Sequence, residues 1–487
     1  MANVSFPFPF PEHLQALLPE MIVAVLAMAL LLIDVFIPRD KKSITAWLSV
    51  AVVVIALLAT LGQSGPERLL AFYGMFVLDP FASFAKLLIY GGTLFGIILS
   101  MEYMKREQHV GEYYVLMLFS MLGMMLMVSG NNFITVYLGL ELMALCVYVL
   151  VGYQRSLLRS SEAALKYFIL GSLSSGMLLY GVTFLYGITG SFDFKAIGGV
   201  LAHAEHTDHA ALLLALVFVL AGLAFKVSMA PFHMWTPDAY EGAPTPVTAF
   251  MSVAPKVAGL VVFARILIDA LPSVQSEYTE VLTWMAVLTM AVGNLAAIAQ
   301  RNIKRMLAYS TIGHVGFVML GMIAANGEGY AGMMVYLSVY LFMTMGVFAV
   351  IILMRREGIQ GELLDDFAGL SKARPGYALA MGLLLFSMAG IPFLGGFWAK
   401  YAVFIAAVKA GHVYLVVFAL MMSAIAAFYY IRVVKYIYFD EARVAFDFND
   451  TPPMQATVVA MTVLVVVLGL YPEPLMHACR AAVAGLL

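Results

Sequence analysis

The sequence predicts an all-α integral membrane protein of about fourteen transmembrane helices, built around two inverted five-helix repeats that each hold one broken helix. Three observations predict it. First, 63% of the 487 residues are hydrophobic and only 11% charged, against about 25% charged in an ordinary soluble domain. Second, apolar segments of about 20 residues, the length that a hydrocarbon core demands, follow one another from Leu14 onward with short connections. Third, the stretch from Leu220 to Val247, LAGLAFKVSMAPFHMWTPDAYEGAPTPV, carries Lys226 into a helix that cannot run unbroken through Pro231, Pro237, Pro244 and Pro246.

Apolar runs bounded by Gly, Pro and charge give the spans 14–37, 44–62, 76–103, 113–129, 132–152, 162–187, 210–240, 245–270, 278–299, 304–323, 329–354, 376–409, 412–437 and 454–474, the seventh and twelfth interrupted. Loop charge tests the count, because Lys and Arg gather on the cytoplasmic side of short loops. With the N-terminus outside, 17 of these residues fall on the inner connections, against only Arg68, Lys195 and Arg480 on the outer ones. Arg265, near the outer end of span eight, stands apart from both. Both termini are therefore expected on the outer side. The N-terminal MANVSFPFPFPEHL has no Lys or Arg before a helix too long for a signal peptide, so the first helix is expected to stay.

The interruptions near Pro231 and at Ile391-Pro392-Phe393-Leu394-Gly395-Gly396 lie five spans apart. This divides the chain into spans one to three (1–112), a first five-helix unit (113–270), a second (278–437) and a C-terminal loop with span fourteen (438–487). Five spans per unit invert the second relative to the first, and inverted units with paired broken helices point to a transport site at the bilayer midplane.

A charged side chain at the bilayer centre costs about 2.5 to 3.5 kcal/mol on insertion scales, so a retained one needs a reason. Glu141 lies near the middle of span five, Lys226 past the middle of span seven, Lys256 at the middle of span eight, His314 at the middle of span ten and Lys400 just beyond the break of span twelve. Their similar depth predicts a row along the membrane plane. Burial and a neighbouring carboxylate act in opposite senses on a lysine, so a change at Glu141 would push a proton on or off Lys226. Imidazole passes protons near neutral pH, which makes His314 a relay candidate beside the alternative of a satisfied core histidine.

Other charges have plainer explanations. Lys166 follows Glu162 by four residues at the cytoplasmic end of span six, the spacing of a solvated pair. Lys86 is expected to snorkel outward and Asp34 to sit at the interface. The outer run HAEHTDH, from His203 to His209, is expected to be a polar loop rather than a metal site. Cys146 and Cys479 allow neither a disulfide framework nor a metal knuckle. A net charge of -2 without long runs of one sign argues against nucleic acid. Without a Gly-rich phosphate loop, a CxxC pair or HExxH, redox cofactors, nucleotides and metals are not expected on this chain.

The stretch FKVSMAPFHMWTPDAYEGAPTPV, LELM around Glu141, SEAALKYFILGS around Lys166, NIKRMLAYSTIGHVGF and GIPFLGGFWAK together resemble the antiporter-like membrane subunits of respiratory complex I, the bacterial NADH-quinone oxidoreductase. The family is itself similar to subunits of multi-component cation/proton antiporters, which is the alternative function. Lys400, where some members have glutamate, and the ending without a long lateral helix narrow the choice within it. The resemblance implies proton pumping coupled to quinone reduction elsewhere, with Glu141 and Lys226 as the first charged pair, Lys256 connecting and Lys400 terminal. It raises Lys166 to a modulating lysine near Lys226. It also implies a place in the bacterial inner membrane beside other complex I membrane subunits and lipid. FMN, iron-sulfur clusters and quinone are then expected in those other subunits.

Overall fold

A computed structural model describes residues 10–38, 41–63, 65, 68–104, 110–203, 209–355, 361–442 and 451–486. The helices are α1 (Phe10–Ala16), α2 (Leu18–Phe36), α3 (Ser43–Gln63), α4 (Pro80–Tyr103), α5 (Gly111–Val128), α6 (Phe133–Val151), α7 (Leu158–Thr189), α8 (Phe194–Ala202), α9 (His209–Val227), α10 (Trp235–Gly242), α11 (Thr245–Arg265), α12 (Gln275–Ile298), α13 (Ile303–Ile323), α14 (Gly327–Leu353), α15 (Leu370–Ala373), α16 (Pro375–Ala389), α17 (Gly395–Lys409), α18 (Val413–Phe439), α19 (Pro452–Leu470) and α20 (Glu473–Ala484). A hairpin of β1 (Leu69–Ala71) and β2 (Phe76–Leu78) leads into α4.

Among the described residues, 13 helices are long and apolar enough to cross a membrane. The halves α16 and α17 supply one further crossing, so the chain is an all-helical multi-pass membrane protein of the expected fourteen spans. The helices α11, α13 and α14 are almost wholly buried and form the centre, whereas α2, α3, α7 and α19 turn large apolar residues such as Leu32, Leu173 and Val459 outward, as contact with lipid requires. Helix α5 packs closely on α6, and α12 on α13. Isolated bridges join Asn132 to Asp193 and Asn302 to Leu363. Each asparagine also caps the helix that follows, accepting from main-chain N–H groups of its first turn.

Charges that one sequence leaves as loop or interface groups prove to be paired at the two ends of the bundle. Arg265 is fully buried, and both terminal nitrogens lie 2.9 Å from the Asp79 carboxylate, while Arg68 pairs with Asp269 at 2.8 Å. Burial alone would raise the Asp79 pKa, but the Arg265 guanidinium outweighs it and holds the carboxyl below its usual value. At the opposite end, Lys304 is buried and reaches Glu362 at 2.9 Å, Arg159 reaches the same carboxylate at 2.8 Å, and Arg305 bridges Asp238 and Glu241 at 2.7 and 3.0 Å. Burial of Glu362 is likewise outweighed, by Lys304 first and Arg159 next, so that its pKa is lowered.

Lys86 corrects an expectation. It does not snorkel: it is fully buried, and its amine lies 2.6 Å from Glu20, a residue of α2 that is equally buried. Asp34 sits at a helix end as expected, paired with Lys42 at 2.5 Å. Lys409 adds a further cation to the end opposite the basic connections, in an exposed pair with Glu328. Short α8 and amphipathic α20, which carries the buried Cys479, are elements beyond the expected spans. In the histidine-rich run, His203 is the C-cap of α8 and His209 begins α9, and positions 204–208 lie outside the described residues.

Candidate functional site

The site is built on the two breaks. After Val227 the main chain turns at Ser228, whose φ is +67°, and Pro231 follows with no N–H to give. The freed main-chain groups find partners. Ser228 N–H reaches Phe225 O at 3.1 Å, the indole of Trp235 donates to the same oxygen at 3.0 Å, and Ala230 N–H donates to Thr289 Oγ1 at 3.0 Å. Trp235 also stacks on Tyr167 at 4.1 Å, which fixes α10 against α7. In the twelfth span, Gly390 (φ +90°) ends α16, and a Cβ at Gly396 would lie 1.8 Å from Ser387 O, so the turn requires glycine there.

Glu141, on α6, is half-buried; Lys226, on α9, is buried. A hydroxyl joins them: Ser175 Oγ, on α7, donates to Glu141 Oε1 and accepts from Lys226 Nζ at 3.3 Å. Among the described residues no direct ion pair links the two. Close packing of α7 on α9 makes this possible. A Cβ at Gly222 would come 2.6 Å from Leu178 Cβ, and one at Gly181 would come 2.7 Å from Val219 N. Lys226 lies one helical turn past Gly222, on the same face.

Lys256, on α11, is buried and donates to Ser228 Oγ. Its amine lies 3.5 Å from the main-chain oxygen of Lys226 and 4.7 Å from the centre of the Trp235 ring. Ser228 in turn shares a 2.6 Å hydrogen bond with Thr236 Oγ1 on α10. The first break, the second lysine and the far half of the helix are thus one hydrogen-bonded unit.

His314, on α13, is buried between two tyrosines, Nδ1 at 2.7 Å from Tyr336 Oη and Nε2 at 2.9 Å from Tyr430 Oη. Tyr430 shares a further hydrogen bond with Ser310. A neutral imidazole can donate to one phenol and accept from the other, so a proton shift would reverse the polarity of this chain. Lys400, on α17, donates at 2.8 Å both to Ala389 O, across the second break, and to Ser423 Oγ. Its amine stands 5.1 Å over the Phe317 ring, which also packs edge-on against His314.

The structure therefore gathers Glu141, Lys226 and Lys256 into one polar string and sets His314 and Lys400 about Phe317 in a second. Among the described residues, no hydrogen bond links Lys256 to His314, or His314 to Lys400. Lys166 belongs to neither. It is exposed and pairs with Glu162 at 2.7 Å, as its spacing predicts, and with Asp238 at 3.1 Å. Arg159, Glu162, Lys166, Asp238 and Glu241 line a cavity of about 220 Å³ at the basic end of the bundle. Sequence reasoning missed Ser175, Ser228, Thr236, Tyr336, Tyr430 and Ser423. Only Ser228, between a lysine and a proline break, carried a local signal. Among the described residues no group of three or more His, Cys, Asp or Glu could hold a metal ion.

A family described as "NADH:quinone oxidoreductase/Mrp antiporter, TM" matches residues 130–426. The chain is 46% identical over 476 residues to NADH-quinone oxidoreductase subunit N of Paramagnetospirillum magneticum, covering 96% of each. A chain of respiratory complex I from Thermus thermophilus superposes with a TM-score of 0.82 at 32% identity, covering 95% of this chain and 99% of that one. A chain of the Mrp complex from a Dietzia species gives 0.85 at 22% identity over 97% of each, a likeness of fold.

Proposed function

Because this chain belongs to the family of NADH-quinone oxidoreductase subunit N, an antiporter-like membrane subunit of complex I, we propose that it moves protons outward through Glu141, Lys226, Lys256, His314 and Lys400. As a subunit of that enzyme complex it works with other membrane subunits; its own part is translocation, without redox chemistry. FMN, iron-sulfur clusters and quinone belong in this reading to the partners.

One observation carries the reading. Four ionisable groups on four helices, Lys226, Lys256, His314 and Lys400, are buried in the membrane-spanning bundle, each held by hydroxyl or carbonyl oxygens and, among the described residues, none in direct contact with a carboxylate. A purely structural charge is paired in contact, as Lys86 is with Glu20 and Arg265 with Asp79. An amine held only by neutral oxygens can give up its proton without leaving a buried carboxylate unpaired. Altering a unit charge about 5 Å away, at an effective dielectric of about 20, is worth about 3 kcal/mol. A change at Glu141 of that size suffices to transfer a proton from Lys226 toward Lys256. His314 and its tyrosines carry it on, and Lys400 releases it at the far side.

The matching bridges at Asn132 and Asn302 support reading 113–270 and 278–437 as the two inverted units. The charge bias supports placing both termini on the periplasmic side of the inner membrane. Lys166, in the exposed network with Asp238, modulates the first unit from the cytoplasmic side. Replacing Lys256 with methionine in the whole complex, reconstituted in liposomes, tests the path. Proton translocation per NADH is expected to fall sharply with the complex still assembled; an unchanged ratio would refute it.

A further inference from the structure

We propose that Ser175 is a positioning residue of the transfer path, a hydroxyl that couples Glu141 to Lys226 and sets how strongly each senses the other. The inference rests on the proton-transfer reading above. Ser175 is 4% exposed, and its single oxygen touches both partners: Lys226 donates to it at 3.3 Å, and it donates to Glu141.

The position is built for this role. Most buried serines of membrane helices return their hydroxyl to a main-chain carbonyl of the preceding turn, as Ser49 does to Thr45 O at 2.8 Å and Ser338 to Met334 O at 2.8 Å. Ser175 spends its hydrogen on a side-chain carboxylate of a neighbouring helix instead. Its neighbour Ser174 holds the α7–α9 contact through Gly222 O at 3.3 Å, so Ser175 is not needed as glue between those helices.

A hydroxyl has one hydrogen to donate and lone pairs to accept, so its orientation follows its partners. With Lys226 an ammonium, the amine occupies the lone pair and the hydroxyl hydrogen points at Glu141. When the proton leaves, Lys226 becomes an acceptor, and the hydroxyl can turn its hydrogen toward the amine, releasing Glu141. With Lys226 neutral, protonation of Glu141 favours the same orientation, because the acid can then donate to the hydroxyl oxygen. The serine thus makes the pair a two-position contact, where a direct ion pair would be locked by its own attraction. The step conserves its protons: the hydroxyl keeps one hydrogen throughout and only its direction changes.

The test uses the assembled complex in liposomes, with proton translocation per NADH measured from pH 6 to pH 9 for Ser175→Ala, Ser175→Thr, Ser175→Cys and Lys226→Ala. Alanine is expected to lower the ratio about tenfold near neutral pH and to shift its pH profile, the size of effect that loss of one hydrogen bond to a charged group brings. Threonine, which keeps the hydroxyl, restores most of the ratio. Cysteine, close in size but a weak donor, falls near alanine and decides the matter if the alanine variant does not assemble. An alanine or cysteine variant with the wild-type ratio and pH profile, or a threonine variant as defective as alanine, would overturn the role of Ser175. If that happens while Lys226→Ala is inactive, the transfer path stands and only the serine is wrong. A fully active Lys226→Ala would instead remove the reading on which the proposal rests.

Discussion

Lys400 Nζ donates at 2.8 Å to the carbonyl oxygen of Ala389, so the amine of one half-helix satisfies the open C-terminal end of the other across the break of the twelfth span. Chemistry and architecture meet in that contact. Lys400→Met removes the donor and leaves a buried carbonyl unmet, which costs about 1–3 kcal/mol. The expected result is a complex with lowered thermal stability and little pumping. Thermal unfolding and liposome pumping assays check the two parts separately.

The same break cannot accept a side chain at Gly396, because a Cβ there meets Ser387 O at 1.8 Å. Gly396→Ala is expected to prevent assembly, seen as loss of the intact complex on a native gel. Gly376→Ala, where a Cβ meets nothing within 4 Å, is expected to assemble normally.

Glu362 ties Lys304 of α13 to Arg159 of α7. Its pKa is lowered on folding, so its contribution to stability is complete above the unfolded value, about 4.3, and is lost as pH falls through the lower folded value. Glu362→Gln is therefore expected to melt below the wild type at pH 7, by the equivalent of about 1–3 kcal/mol. The gap should close as the pH drops below about 4. A gap of equal size at both pH values would show that charge is not its origin.

Lys166 lies in solvent between Glu162 and Asp238. Exposed pairs have small effects, so Lys166→Ala is expected to lower pumping only about twofold, with the loss shrinking at high salt. Proton translocation at low and at high salt checks this.

Much of this was legible in the sequence. Apolar length gave the fourteen spans, and the four prolines from Pro231 to Pro246, with Pro392, marked the two breaks, because proline cannot continue a helix. The cost of a charge at depth singled out Lys226, Lys256 and Lys400. What stayed hidden depends on pairing between distant segments. Lys86 read as a snorkelling residue because Glu20 lies two helices earlier, and Arg265 stood unexplained because Asp79 is 186 positions away. Ser175 had no signal either, since a serine in an apolar helix is ordinarily satisfied by its own preceding turn. The expected contact between Glu141 and Lys226 became an indirect one for that reason.

The central claim is that protons cross through Lys226, and the direct measurement is proton translocation per electron by the assembled complex carrying Lys226→Ala in liposomes. The account predicts that pumping is abolished or sharply reduced while the complex remains intact. An intact variant that pumps at the wild-type ratio would contradict it.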